Sequence, residues 1–152
     1  MIADAPFIAI IDKERGVRRA IVHLLRAHGY RAQGYTSAEA FLFRGRMDEP
    51  ACVVLDIELD GMSGMELLDR LKADESPSAI VVMTAAEDES MRRRVLEAGC
   101  AAYLQKPSSA ELLLSAIAKA LPPTLKQKAA TPEPDPEKWN RVFGKEHAPR
   151  RH

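Results

Sequence analysis

The chain has 152 residues, enough for one domain with a substantial core. Its 22 basic and 22 acidic residues balance, so the net charge supplies no general pull toward nucleic acid or an anionic membrane. Hydrophobic residues make up 46% but aromatics only 5%, so the core must be aliphatic and alanine-rich.

Phe7-Ile8-Ala9-Ile10-Ile11 is a short apolar run closed by Asp12-Lys13-Glu14. Val17, Ala20, Ile21, Leu24 and Leu25 then recur at helical spacing, and Gly29 is a natural stop. Tyr30 to Tyr35 fits a second strand. Thr36 with Glu39 reads as a capping box opening a short helix through Phe43, stopped near Gly45. Ala51 to Asp56 is an uninterrupted apolar run ending in a carboxylate, the pattern of a parallel strand buried on both faces. Ser63 with Glu66 is a second capping box, and Met65, Leu68 and Leu71 form the apolar stripe of the helix it opens. Ala79 to Met83 is a fourth strand, ending at Thr84. Asp88 to Ala98 is a polar, arginine-rich helix stopped by Gly99. Ala101 to Leu104 is a fifth strand, ending at Gln105-Lys106-Pro107. Ser108 with Glu111 is a third capping box, and Leu113, Ala116, Ile117, Ala120 and Leu121 face the core from the last helix.

Five strands alternating with five helices require parallel pairing through helical crossovers. Right-handed crossovers over both faces give a three-layer α/β/α sandwich. Residues 122–152 hold six of the ten prolines, many charges and few aliphatics, and read as a tail or linker. Within it Trp139, Val142 and Phe143 share one face at helical spacing: three isolated apolar residues on the bland reading, a short docking segment on the sharper one. Met1 to Pro6 lacks a basic segment followed by a long apolar one, so no signal peptide is expected. No run is long enough to span a bilayer, and a cytoplasmic protein is the expectation. Cys52 and Cys100 fall in apolar stretches and read as packed residues rather than a disulfide or metal pair.

Four strand ends carry polar groups: Asp12, Asp56, Thr84 and Lys106. Any one alone has an ordinary explanation, as a turn-starting aspartate or a surface lysine. In a doubly wound sheet, however, such ends converge on one crevice. Two carboxylates, a hydroxyl and an ammonium gathered there suit phosphoryl transfer, with Asp56 as nucleophile and Thr84 and Lys106 holding phosphoryl oxygens. A divalent ion held by carboxylates and a backbone carbonyl would neutralise the transferring oxygens.

Val54-Leu55-Asp56, Gly61-Met62-Ser63-Gly64-Met65-Glu66-Leu67-Leu68, Val82-Met83-Thr84-Ala85 and Gly99-Cys100-Ala101-Ala102-Tyr103-Leu104-Gln105-Lys106-Pro107 together resemble the receiver domain of two-component response regulators. The resemblance covers residues 6–121. It implies a flavodoxin-like, five-stranded parallel sheet in the order 2-1-3-4-5. It implies a signalling domain rather than an enzyme, with Asp56 accepting phosphate from a histidine kinase or phosphotransfer protein. Thr84 and Tyr103 would be the switch pair, and Lys106-Pro107 a cis peptide. Mg²⁺ would be held by Asp12, Asp56 and Glu58, the last lying where side chains of the family line the pocket. The face from Asp88 to Ala98, near Tyr103, is the expected surface for a downstream protein partner. A homodimer stays open. No helix-turn-helix pattern follows Pro123, so direct nucleic-acid binding is not expected.

One departure matters. The family carries two adjacent acids after the first strand, the second a direct metal ligand; here Lys13 stands at that position. Two unit charges about 5 Å apart interact by roughly 3 kcal/mol at an effective dielectric of about 20. Lys13 should therefore weaken or abolish Mg²⁺ binding unless it turns into solvent, with Glu14 or Glu58 as compensating acids. It has three courses: pointing away, pairing with Asp56 or Glu58 as a built-in cation, or disabling the site. The last leaves a degenerate pseudo-receiver that works as an interaction module. Retained phosphotransfer is preferred, because Asp12, Asp56, Thr84 and Lys106 all survive. Asp60, where the family commonly has proline, has no evident consequence in the sequence. An unrelated flavodoxin-like phosphohydrolase with an aspartate nucleophile is a third reading, distinguished by steady turnover of a phosphate ester.

Overall fold

The computed structural model describes residues 5–44, 49–86 and 88–121. The tail at 122–152, with Trp139, Val142 and Phe143, lies outside the described residues, as does Gly45. Five strands, β1 (Phe7–Ile11), β2 (Arg31–Tyr35), β3 (Cys52–Asp56), β4 (Ala79–Thr84) and β5 (Ala102–Gln105), form one parallel sheet ordered β2-β1-β3-β4-β5. Helices α1 (Arg15–Ala27), α2 (Ala38–Leu42), α3 (Gly64–Ala73), α4 (Glu89–Glu97) and α5 (Ala110–Ala120) supply the crossovers.

The period-2 alternation of the central strands splits the core into two layers. Ile8, Ile10, Val54, Val81 and Met83 pack with Val17, Ile21, Leu25, Leu113 and Ile117 of α1 and α5. On the other face Ala9, Ile11, Val53, Leu55 and Val82 pack with Phe41, Leu67, Leu68 and Val95 of α2, α3 and α4. Each buried aliphatic side chain contributes about 1.5–3 kcal/mol relative to exposure, which offsets the low aromatic content by number rather than size. Cys52 is fully buried and burial pushes its thiol up to about 12; both cysteines are free. Among the described residues no helix is long and apolar enough to cross a membrane.

The capping chemistry corrects two expectations. Ser63 and Glu66 do form a reciprocal capping box at α3. At α2 the cap is Ser37 rather than Thr36: its Oγ accepts the Ala40 N–H at 3.0 Å. At α5 the cap is Ser109, accepting the Leu112 N–H at 3.0 Å, while Ser108 is buried. Tandem hydroxyl residues leave a one-residue ambiguity, which the backbone resolves by which of the two adopts the extended cap conformation.

Helices α1 and α3 end by one scheme. After α1, Gly29 takes φ 89°, its N–H bonds the Arg26 carbonyl and the Tyr30 N–H bonds the Leu25 carbonyl, the two bonds of a Schellman motif. The same pair of bonds closes α3, but there the left-handed residue is Glu75 at φ 54°.

Candidate functional site

Strand register creates the site. Ile11 of β1 lies beside Leu55 of β3, so Asp12 and Asp56 emerge side by side at the carboxyl edge. Thr84 ends β4 beside Gln105 of β5, which sets Lys106 as the next residue; its N–H donates to the Thr84 carbonyl at 2.7 Å. The Lys106 ammonium then crosses the edge, donating to Asp12 Oδ2 at 2.7 Å and Asp56 Oδ2 at 3.2 Å. Three of the four sequence-predicted groups thus meet directly.

Both carboxylates are almost completely buried, and each is held in the same way. Asp12 Oδ1 accepts the Glu14 N–H at 2.9 Å, and Asp56 Oδ1 accepts the Glu58 N–H at 3.0 Å. Each loop following its strand therefore curls back onto its own aspartate. Arg18 Nη1 ties the first loop further by donating to the Asp12 carbonyl at 2.9 Å. Burial raises the Asp56 pKa from its ordinary 3.8 to about 6; Lys106 works against that rise, the Asp12 charge adds to it, and the Glu58 N–H opposes it. For Lys106, burial disfavours the charge, but the hydrogen bond and charge of Asp12, with those of Asp56, outweigh it and leave the ammonium more basic than usual.

Thr84 is wholly buried, and its Oγ1 accepts the Ala86 N–H at 3.1 Å. Tyr103 is partly buried, with the Arg92 guanidinium 6.0 Å from its ring centroid. Burial, with the Asp88 charge, raises the Tyr103 hydroxyl pKa. Ala86, Asp88, Glu89, Arg92, Tyr103 and Gln105 line a cleft of about 300 Å³ beside it. Lys106-Pro107 is a cis peptide.

The donor set is that of a hard cation: two carboxylates, within the one or two that Mg²⁺ uses when water completes its shell. Glu58 is exposed, and among the described residues no group of three or more His, Cys, Asp or Glu gathers as a metal cluster. Asp12 and Asp56 would carry the ion between them. The partner of Lys13 is Asp60, at 3.5 Å, rather than Asp56 or Glu58.

Sequence reading missed three contributors. Glu39, assigned to a cap, instead accepts the Met62 N–H at 2.8 Å and so ties α2 to the β3–α3 loop. Arg18 and Asp60 are the others. Charge complementarity between Lys13 and Asp60 was a visible signal, but only the juxtaposition of two loops makes it meaningful.

A family model described as the response regulator receiver domain matches residues 8–118. The transcriptional regulatory protein FixJ of Azorhizobium caulinodans is 32% identical over 114 residues, 75% of this chain and 54% of FixJ. The response regulator StyR is similar in structure, with TM-score 0.70 and 35% identity over 77% of this chain and 59% of that one. The FixJ-N structure matches with TM-score 0.69 and 29% identity, covering 76% of this chain and 92% of its own. The chain spans about half the length of the curated relatives it matches.

Proposed function

The chain belongs to the response regulator receiver domain family, and from that premise we infer that Asp56 accepts a phosphoryl group and that residues 6–121 act as one phosphorylation-controlled switch. The observation that carries this reading is the Lys106 ammonium bridging Asp12 and Asp56 at the carboxyl edge of the sheet. A carboxylate oxygen of Asp56 forms the new P–O bond. The bond from phosphorus to the donor's leaving atom breaks, and the leaving group keeps that electron pair. The product is an acyl phosphate. Histidine kinases and histidine phosphotransfer proteins are the donors this chemistry fits.

Lys106 stands where it stabilises charge on the transferred group, and the Thr84 hydroxyl is the next donor along the edge. Bound at Asp12 and Asp56, Mg²⁺ would neutralise the negative oxygens during transfer. After transfer, the phosphoryl oxygens offer an acceptor for the Thr84 hydroxyl proton, and rotation of the side chain toward them would draw its oxygen from the Ala86 N–H. The half-buried Tyr103 ring, beside Arg92, is the element that such a shift would repack. The surface from Asp88 to Ala98 with Tyr103 is then the face read by a downstream protein. Acceptance is stoichiometric, one phosphate per chain, rather than turnover of a substrate.

The test is acetyl phosphate labelling with and without Mg²⁺, read by intact mass on wild type, Asp56→Asn and Lys13→Asp. One adduct on wild type and none on Asp56→Asn is expected. No adduct on wild type but one on Lys13→Asp would replace this reading with an interaction module in which Lys13 has disabled the site.

A further inference from the structure

We propose that Asp60 is a positioning residue for the divalent-ion site: its ion pair holds the Lys13 ammonium away from Asp12 and Asp56 and so preserves their capacity to bind Mg²⁺. The inference rests on the reading of Asp56 as a phosphoacceptor assisted by that ion, and deepens it.

Charge within the crevice sets the need. Two carboxylates, Asp12 and Asp56, face one ammonium, Lys106, at 2.7 and 3.2 Å. One net negative charge remains to attract a cation. Lys13 directly follows Asp12 in the chain, and its long, flexible side chain gives the ammonium more than one place to rest, the crevice among them. A second ammonium there would cancel the remaining charge and occupy the oxygens that Mg²⁺ requires.

The structure gives Lys13 another partner. Its Nζ lies 3.5 Å from Asp60 Oδ1. Asp60 sits on the β3–α3 loop, four residues beyond Asp56. That loop is fixed on both sides of it. Leu59 N–H and Gly64 N–H both bond the Ile57 carbonyl, at 3.2 and 3.0 Å, and Met62 N–H bonds Glu39 Oε2 at 2.8 Å. The backbone on the Lys13 side is fixed as well, because the Glu14 N–H is held by Asp12 Oδ1 and Arg18 holds the Asp12 carbonyl. Two anchored loops thus present one cation and one anion to each other. Lys13 and Asp60, the two departures from the family pattern, offset each other.

The side chains are 42% and 87% exposed, so the pair is weak in itself and screened by salt. It acts by biasing where Lys13 rests, not by stabilising the fold. An exposed pair of this kind shifts an equilibrium by about two- to five-fold.

The experiment is Mg²⁺ titration of the metal-free full chain at low ionic strength, by calorimetry and by backbone amide shifts of residues 12–14 and 56–58. Wild type, Asp60→Asn, Lys13→Gln and the double variant are compared. Asp60→Asn should weaken Mg²⁺ binding about two- to five-fold, while Lys13→Gln tightens it. In the Lys13→Gln background, Asp60→Asn should have a clearly smaller effect, since only the long-range loss of one anion remains. Metal-free melting temperatures should differ by no more than a few degrees, and the Mg²⁺ effect of Asp60→Asn should depend on the presence of Lys13, a dependence that a merely structural role for Asp60 would not give. Equal effects of Asp60→Asn in both backgrounds would overturn the proposal, as would Mg²⁺ binding that appears only after Lys13 is replaced. Absence of binding in every variant would overturn the Mg²⁺ reading itself and the proposal with it. Labelling of Asp56 that persists alongside unchanged Mg²⁺ affinity in Asp60→Asn would overturn this inference alone.

Discussion

Glu39 accepts a hydrogen bond from the backbone N–H of Met62 across 2.8 Å, joining α2 to the loop that follows β3. Gly61, the residue before Met62, takes φ 73°; a Cβ there would lie 2.7 Å from the same carboxylate oxygen. A charged acceptor on a part-buried N–H is stronger than a neutral one, so Glu39→Ala should destabilise the protein by about 1–2 kcal/mol. Glu39→Gln, which keeps an acceptor, should cost less. Urea denaturation of the three proteins checks this. Equal midpoints for wild type and Glu39→Ala would show that the loop does not depend on Glu39.

Lys106 separates two buried carboxylates, and its removal leaves them facing each other. Lys106→Met should destabilise the metal-free protein at pH 7 by about 3 kcal/mol, the scale for leaving a buried charge without its partner. Acidification toward pH 4 should return much of that loss, because a protonated aspartate no longer repels its neighbour. Mg²⁺ should also return part of it, and more in the variant than in wild type. A variant as stable as wild type at pH 7 would contradict the bridging role at 2.7 and 3.2 Å.

The architecture was legible because its signals are local. An apolar run such as Cys52 to Asp56 declares a doubly buried strand, and Gly29 and Gly99 mark helix ends by the backbone conformation they adopt. Asp12, Asp56 and Lys106 were legible for the same reason: each directly follows its run, and the topology converts sequence position into proximity. What could not be read depends on side chains reaching between loops. Glu39 has a local use as a helix-capping residue and a distant one at Met62, and nothing in the spacing chooses between them. Lys13 likewise had several acidic candidates, and only the course of the β3–α3 loop selects Asp60.

Glu75 occupies the left-handed position that ends α3, at φ 54°, where Gly29 and Gly99 stand after α1 and α4. A side chain in that conformation costs on the order of 1 kcal/mol, partly offset by the smaller entropy loss of a non-glycine residue on folding. Glu75→Gly should therefore stabilise the protein by about 0.5–1 kcal/mol. Both Schellman hydrogen bonds, from Glu75 N–H to the Lys72 carbonyl and from Ser76 N–H to the Leu71 carbonyl, stay available. The position is remote from the carboxylate edge, so Asp56 labelling should be unchanged. A fall in the denaturation midpoint would mean that the Glu75 side chain makes a compensating interaction.

The Asp56 acid is raised from 3.8 to about 6, first by burial and then, against the opposing pull of Lys106, by the Asp12 charge. A raised acid favours the folded state while protonated. Its contribution is complete below pH 3.8 and is lost as pH rises through 6, so at neutral pH the metal-free fold holds a charge it would rather neutralise. The rise corresponds to roughly 3 kcal/mol at the upper limit. Asp56→Asn removes that charge while keeping an acceptor for the Glu58 N–H. The metal-free variant should be more stable than wild type at pH 7 by on the order of 1–3 kcal/mol. The advantage should shrink below pH 6 and vanish near pH 4, where wild-type Asp56 is itself neutral. Mg²⁺ should narrow the gap at pH 7, because the cation stabilises the charged carboxylate that asparagine lacks. Chemical denaturation at pH 4, 5, 6 and 7, with and without Mg²⁺, measures all three trends. A variant less stable than wild type at pH 7 would show that the Lys106–Asp56 pair outweighs the cost of burying the charge.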